Sequence, residues 1–300
     1  MTASIGSEPL VSSARSQFWR DFQRSPAAVA GLVLTIVLGL TAFLAPLIAP
    51  QNPYDLTAID FMDGELPPGA TGGLGQVFWL GTDAQGRDLV SALLYGLRAS
   101  FMVALSAGTL ALVVGTALGL FAAYARGIVE TLVMRLVEIQ LSFPAILIAL
   151  MLLAVFGRGI DKTIIALMLV QWAFYARTVR GAAIAERSRE YVQAARLLGL
   201  PTRRILFQHL LPNVMPPILV VASVQLASAV TLEATLSFLG LGLPLTEPSL
   251  GLLIANGFDY LLSGQYWISL FPGLLLLVTV FSINLVADRL REMVNPRLRR

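Results

Sequence analysis

Residues Glu186 to Pro212 read ERSREYVQAARLLGLPTRRILFQHLLP, a charged stretch set between two long apolar segments. Glu190 to Leu198 carries helical periodicity, Gly199 stands where a helix ends in a left-handed residue, and Pro201 follows where the helix cannot continue. Thr202 can then cap a second helix, Arg203 to Leu211, before Pro212. The stretch predicts a compact helix–turn–helix in water, not a flexible linker. Ala194 and Ala195 leave the first helix thin on one side, which suits insertion into a groove on another protein.

The surroundings of this loop set its context. The chain has 300 residues, of which 56% are hydrophobic and 13% charged, with a mean hydropathy of +0.76. No soluble domain needs that much apolar surface, so the chain is a polytopic membrane protein. The net charge is +3, and all but one of the 21 basic residues are arginine. They cluster in loops beside apolar runs, which is a topology signal and not a nucleic-acid footprint. The absence of cysteine excludes disulfides and thiolate metal sites.

Along the chain, residues 1–26 read as a polar tail in which Phe18-Trp19-Arg20-Asp21-Phe22 forms an interfacial anchor. Ser25 and Pro26 supply a cap and a first-turn proline for the first span, 27–48, whose apolar core is too long for a cleaved signal. Residues 49–97 form a Pro- and Gly-rich excursion, too short for a separate core. Within it, WLGTDAQGRD, Trp79 to Asp88, is dense in turn formers, and Asp83, Arg87 and Asp88 around Gly86 predict a local ion-pair cluster. Five further spans are expected at 99–125, 131–156, 162–182, 214–238 and 267–287, making 98–290 the core and 291–300 a tail. Gly115 and Gly119 form a GxxxG pair that lets helices approach closely in lipid. Ser142-Phe143-Pro144 predicts a kink, and 243–266 a re-entrant or surface-lying segment, with Trp267 at the interface.

Alternating these spans from an inside N-terminus leaves only Arg87, Arg98, Arg158 and Lys162 outside, out of 21 basic residues. That asymmetry follows the positive-inside rule and puts Glu186–Pro212 in the cytoplasm. One acid, Glu233, falls deep within a span, four residues before Ser237. An intramembrane carboxylate lines a translocation path, relays protons, or is held structurally by hydrogen bonds to neighbouring helices. The single histidine, His209, has no obvious partner, and the chain has no zinc motif, nucleophile elbow or phosphate-binding loop. No catalytic residue, metal or cofactor is expected.

Four segments carry a resemblance to a known family over about residues 18 to 300. Gln193-Ala194-Ala195, Gly199 and His209-Leu210-Leu211-Pro212 resemble the "EAA" loop of ABC importer permeases, with Gln193 where Glu and His209 where Ile are usual. Leu80 to Asp88 resembles the "LGTDxxGRD" segment of dipeptide, oligopeptide and nickel permeases. Glu233 to Gly242 with Pro248-Ser249-Leu250-Gly251 resembles their "ExxLSFLGLG…PSWG" run, Leu250 replacing Trp. Asp288 to Arg297 is similar to their closing segment, with Asn295 for Asp.

The resemblance implies an all-α polytopic protein with six transmembrane helices, the type I importer permease fold, and a cytoplasmic coupling helix. Tyr191, Gln193, Ala194, Ala195, Arg196, Leu198, Gly199 and Leu200 would then contact an ATPase subunit. Asp83, Gly86, Arg87, Asp88 and Pro212 would be structural, and Glu233 and Ser237 would face the translocation path. The implied partners are a second, B-type permease, two ABC ATPase subunits, an extracytoplasmic solute-binding protein and membrane lipid, with no nucleic acid. The implied place is the bacterial inner membrane with both termini cytoplasmic. The implied cargo is di- or oligopeptides, or alternatively nickel, glutathione or another peptide-like solute. An ion-coupled secondary transporter would need an inverted repeat, and none is evident.

Overall fold

The computed structural model describes residues 14–55, 59–244 and 246–294, with side chains from Phe18 onward. The tail ahead of residue 14, and Asn295, Pro296 and Arg297 of the closing segment, lie outside the described residues. Helix α1, Ala14–Gln23, stacks Trp19 on Phe22. Helix α2, Pro26–Phe43, starts as its sequence requires, with Pro26 in the first turn and the Ser25 hydroxyl accepting from Ala28 N at 3.3 Å. A short α3, Ala45–Ile48, leads into the excursion. There a two-stranded antiparallel ribbon pairs β1, Ala70–Thr71, with β2, Val77–Phe78.

Helix α4, Leu89–Ala125, is 37 residues long. It starts well before the expected 99, because Asp88 caps it and its first turns carry Ser91, Tyr95 and Arg98. Those residues lower hydropathy without breaking a helix. Helices α5, Gly127–Leu141, and α6, Ala145–Phe156, meet at a 94° bend, so Pro144 breaks the segment outright. The turn before α5 holds Arg126 at φ 58° and ψ 179°, a region populated almost only by glycine that costs another residue about 1–3 kcal/mol.

Helix α7, Ile160–Arg187, is followed by α8, Glu190–Leu197, and α9, Thr202–Arg204. A π-helical turn, Ile205–Leu210, joins α9 to α10, Leu211–Phe238. The expected stop before Pro212 is therefore absent: Thr202–Phe238 forms one continuous 37-residue helix. Pro212, Pro216 and Pro217 lack backbone donors, so the ordinary i→i−4 ladder cannot run unbroken here, and the π-turn sits at that weakness. Pro201, not Thr202, occupies the capping position. Helix α11, Leu250–Phe258, and α12, Trp267–Val294, complete the described fold.

Among the described residues, four helices are long and apolar enough to cross a membrane: α2, α4, the Thr202–Phe238 unit and α12, with the bent α5/α6 pair as a fifth. Helix α7 has the length, 28 residues, but Asp161, Lys162, Gln171, Arg177 and Arg180 dilute its apolarity. It compensates by burial, since one face from Thr163 to Ala183 is enclosed by other helices. Its tightest neighbour is α4. A Cβ on Gly119 would lie 2.5 Å from Ala176 O, and one on Gly115 would lie 2.6 Å from Tyr175 Cβ and overlap Trp172 O. The GxxxG pair thus lets two backbones touch, and in lipid such van der Waals packing replaces hydrophobic burial as the driving force. Gly115→Leu is expected to lose most of the folded protein and lower the thermal midpoint of the remainder by more than about 10 °C. Gly108→Ala, with nothing within 4 Å, should leave the midpoint unchanged in the same melting experiment.

Trp267 departs from expectation. Its side chain is 7% exposed and packs with Leu89, Leu93, Leu250 and Ile268, while Nε1 donates to Thr82 O at 3.3 Å. It anchors the excursion to α12 and does not serve as an exposed headgroup-level aromatic.

Candidate functional site

The Glu186–Pro212 segment is rigid for local reasons first. Helix α8 ends with Gly199 at φ 70°, Gly199 N donating to Arg196 O at 3.0 Å and Leu200 N to Ala195 O at 3.1 Å. Those two bonds complete a Schellman motif, satisfying carbonyls that the helix end would otherwise leave open. Helix α10 ends the same way: Gly240 at φ 73° donates to Ser237 O and Leu241 N to Leu236 O.

The base of α8 is fixed by burial. Val192 and Ala195 share one apolar cluster with Leu120 of α4, Val179 and Ala183 of α7, and Ile205, Leu210 and Val214 of the following helix. Any tilt of α8 must therefore carry three long helices with it. Tyr191 adds a polar tether. Its hydroxyl donates to Glu186 Oε1 at 2.8 Å and accepts from Asn213 Nδ2 at 3.0 Å, and its ring stacks on His209 at 6.5 Å. Burial, followed by the Glu186 bond and charge, pushes the Tyr191 phenol up to about 12, so it stays a neutral donor. His209 has partners after all, since Nδ1 also lies 3.2 Å from Arg204 O. Gln193 Nε2 donates to Ser188 O at 3.0 Å. The Arg196 guanidinium lies 5.3 Å over the Tyr124 ring, and Tyr124 hydroxyl meets Thr202 Oγ1 at 2.9 Å.

The two alanines do not share a face. Ala195 is buried at the base, whereas Ala194 looks outward with Gln193. The outward tip is instead apolar: Leu197 is 89% exposed and Leu198 79%. Leu197 is absent from the contact residues that the sequence motif suggests. Its signal is the pair of leucines directly before the terminating glycine, where a short helix has little inward surface left to bury them.

At the other end of α4, Trp79–Asp88 folds as a staple. Arg87 Nε meets Asp83 Oδ2 at 2.7 Å with both side chains buried, and Asp83 Oδ1 accepts from Gln85 N and Arg87 N. Gly86, at φ 79°, has no room for a Cβ, which would overlap Asp60 O. Asp88 is no part of the ion pair. It caps α4, accepting from Ser91 N at 2.7 Å and Ser91 Oγ at 2.6 Å. Arg87→Ala strands a buried carboxylate and should cost about 3 kcal/mol of stability, read as a lower denaturation midpoint; an unchanged midpoint would show that the pair adds nothing to stability.

Glu233 is fully buried. Ser100 Oγ donates to Oε2 at 2.6 Å, Ser237 Oγ donates to Oε1 at 2.8 Å, and Ser249 faces the same carboxyl. The cluster joins α4, α10 and the start of α11. Gly251 sits against it so closely that a Cβ would overlap Ala234 O. Neither Glu233 nor Ser237 borders open space in this chain. Among the described residues, no group of three or more His, Asp or Glu side chains could hold a metal ion.

Residues 115–300 match the family model described as binding-protein-dependent transport system inner membrane component, and residues 13–68 match the N-terminal TM domain of oligopeptide transport permease C. The chain is 37% identical over 284 residues to the di/tripeptide transport system permease protein DppC of Pseudomonas aeruginosa, covering 94% of this chain and 92% of that one. It is 32% identical to the dipeptide transport system permease protein DppC of Bacillus subtilis, covering 94% and 85%. A chain of the inward-facing MetNI methionine ABC transporter superposes with a TM-score of 0.55 at 22% identity, covering 68% of this chain and 96% of that one, and so shares the fold. The chain therefore belongs to the family of binding-protein-dependent transport system inner membrane components.

Proposed function

We propose that the chain is the C-type permease subunit of an ATP-driven importer for di- and oligopeptides, without an ATPase site of its own. It works with a B-type permease, two ABC ATPase subunits and an extracytoplasmic solute-binding protein. Both termini and α8 lie in the cytoplasm, a placement that the basic-residue asymmetry supports. The observation that carries this reading is α8 itself: an exposed Leu197–Leu198 tip on a base that shares its apolar cluster with α4, α7 and α10. A tip docked in a cleft of an ATPase would move that cluster as one body when ATP closes the cleft, tilting the spans between inward- and outward-open arrangements. The relatives' printed names support peptides as cargo.

The test is reconstitution with the cognate subunits in proteoliposomes. Uptake of a radiolabelled dipeptide should require ATP, the binding protein and this chain together. Purification of the chain without any ATPase subunit, or uptake driven by an ion gradient alone, would overturn the reading.

A further inference from the structure

Near the start of α4 a cavity of about 320 Å³ opens between α4, Ile160 at the head of α7, and two loops; its polar lining is Tyr54, Tyr95, Arg98 and Glu247. The volume is at the small end of ligand pockets, which span about 300–1,000 Å³, so it suits a solute of one or two amino-acid residues. Its electrostatics are unusual. Arg98 makes no ion pair among the described residues, and its Nε is buried without an acceptor. Glu247, in the same lining, is held through Oε2 by the Tyr54 hydroxyl at 2.9 Å. Tyr54 in turn packs edge-on against Tyr95 at 5.3 Å. Burial first, then Glu247, pushes the Tyr54 phenol well above the usual tyrosine range, so it remains a donor to Glu247.

A half-buried guanidinium with an unfilled donor costs free energy unless something supplies the acceptor. The chain offers both signs of charge to one cavity without joining them. Met102 and Ile160 add an apolar wall. A ligand carrying a carboxylate at one end and an ammonium at the other, with side chains between, would give the Arg98 donor an acceptor and the Glu247 carboxylate a cation. A carboxylate on Arg98 would be bidentate.

Position fits delivery from outside. Helix α4 is about 55 Å long at 1.5 Å per residue, against a hydrocarbon core of about 30 Å, so its ends protrude. Arg98 lies near one end and Tyr124, under Arg196 of α8, near the other. We infer that this cavity is a receiving site for the zwitterionic termini of a dipeptide-sized solute, Arg98 taking the carboxylate and Glu247 the ammonium. The assignment rests on the peptide-permease reading above and adds to it a recognition step within the permease.

The experiment uses the full reconstituted importer and two probes for Arg98, alanyl-phenylalanine and its C-terminal amide, with N-acetyl-alanyl-phenylalanine as a further probe for Glu247 and the binding protein's affinity for each measured separately. Arg98→Gln should lower uptake of the free acid at least tenfold and abolish the preference for acid over amide. Arg98→Lys, which keeps the charge, should restore part of that preference. Glu247→Gln should likewise abolish discrimination against the N-acetyl dipeptide. A wild-type complex that takes up neither probe contradicts the peptide reading and this assignment with it. Wild-type uptake with an acid-to-amide ratio unchanged in Arg98→Gln contradicts the assignment alone. An equal loss for both probes, recovered by adding anionic lipid, would make Arg98 a headgroup anchor and also overturn it.

Discussion

Ala194→Arg is expected to abolish ATP-driven uptake, by at least a hundredfold, while the chain still inserts, folds and melts as wild type. Ala194 faces outward on α8, so an arginine there extends away from the packed base and replaces one good helix former by another. Any loss must come from what lies across the surface. Gly199→Arg should act similarly, with nothing within 4 Å of a Cβ, plus about 1 kcal/mol for forcing φ 70° on a side chain. Ala195→Arg is the contrast. Ala195 is buried in one cluster with Val192, Val179 and Ile205, so that substitution should damage folding itself. Transport, ATPase stimulation and thermal melting measured on the three variants separate these effects. Normal uptake by Ala194→Arg would show that the outward face of α8 touches nothing.

The second large effect concerns Glu233. Glu233→Ala should destabilise the protein by about 3 kcal/mol or more, because Ser100, Ser237 and Ser249 would face a void, and each buried polar group left unpaired costs about 1–3 kcal/mol. Glu233→Gln keeps both the volume and an acceptor, and hydroxyls can turn to donate or accept. It should therefore retain near wild-type melting and uptake. This pair of variants discriminates among the three roles an intramembrane acid can take. A proton relay or a charged path-lining group fails as glutamine; a structural pin does not. Uptake lost in a stably folded Glu233→Gln would establish the functional role instead.

What the sequence shows and what it hides divide along a physical line. Helix α8, its glycine terminus and the Ser25 cap obey local rules, so they are legible from residues within one turn of each other. The Asp83–Arg87 pair is likewise four residues apart. The bend at Pro144 and the contact at Gly115 and Gly119 follow from missing atoms, a donor in one case and a Cβ in the other. The departures are tertiary. Trp267 reads as an interfacial aromatic because its burial depends on Thr82 and Leu89, far away in sequence. Glu233 is ambiguous in sequence because its donor Ser100 lies 133 residues distant. Ala194 and Ala195 look equivalent because composition cannot say which neighbour faces the cluster. Helix α7 escapes a hydropathy test because its polar residues are sheltered by other helices and not by lipid. The π-turn at Ile205–Leu210 hides behind Pro212, which signals a stop but here sits inside a continuous helix.

The chain contains no cysteine, so a single introduced thiol reports without background. Leu197→Cys, in the assembled complex with partner ATPases carrying cysteines along their cleft, reports both the side of the membrane on which α8 lies and the subunit that its tip meets. The thiol introduced at position 197 is expected to react with a membrane-impermeant reagent only from the cytoplasmic side, and oxidation is expected to link it to an ATPase subunit. Labelling from outside the cell, or a complex in which position 197 joins no nucleotide-binding subunit, would contradict it.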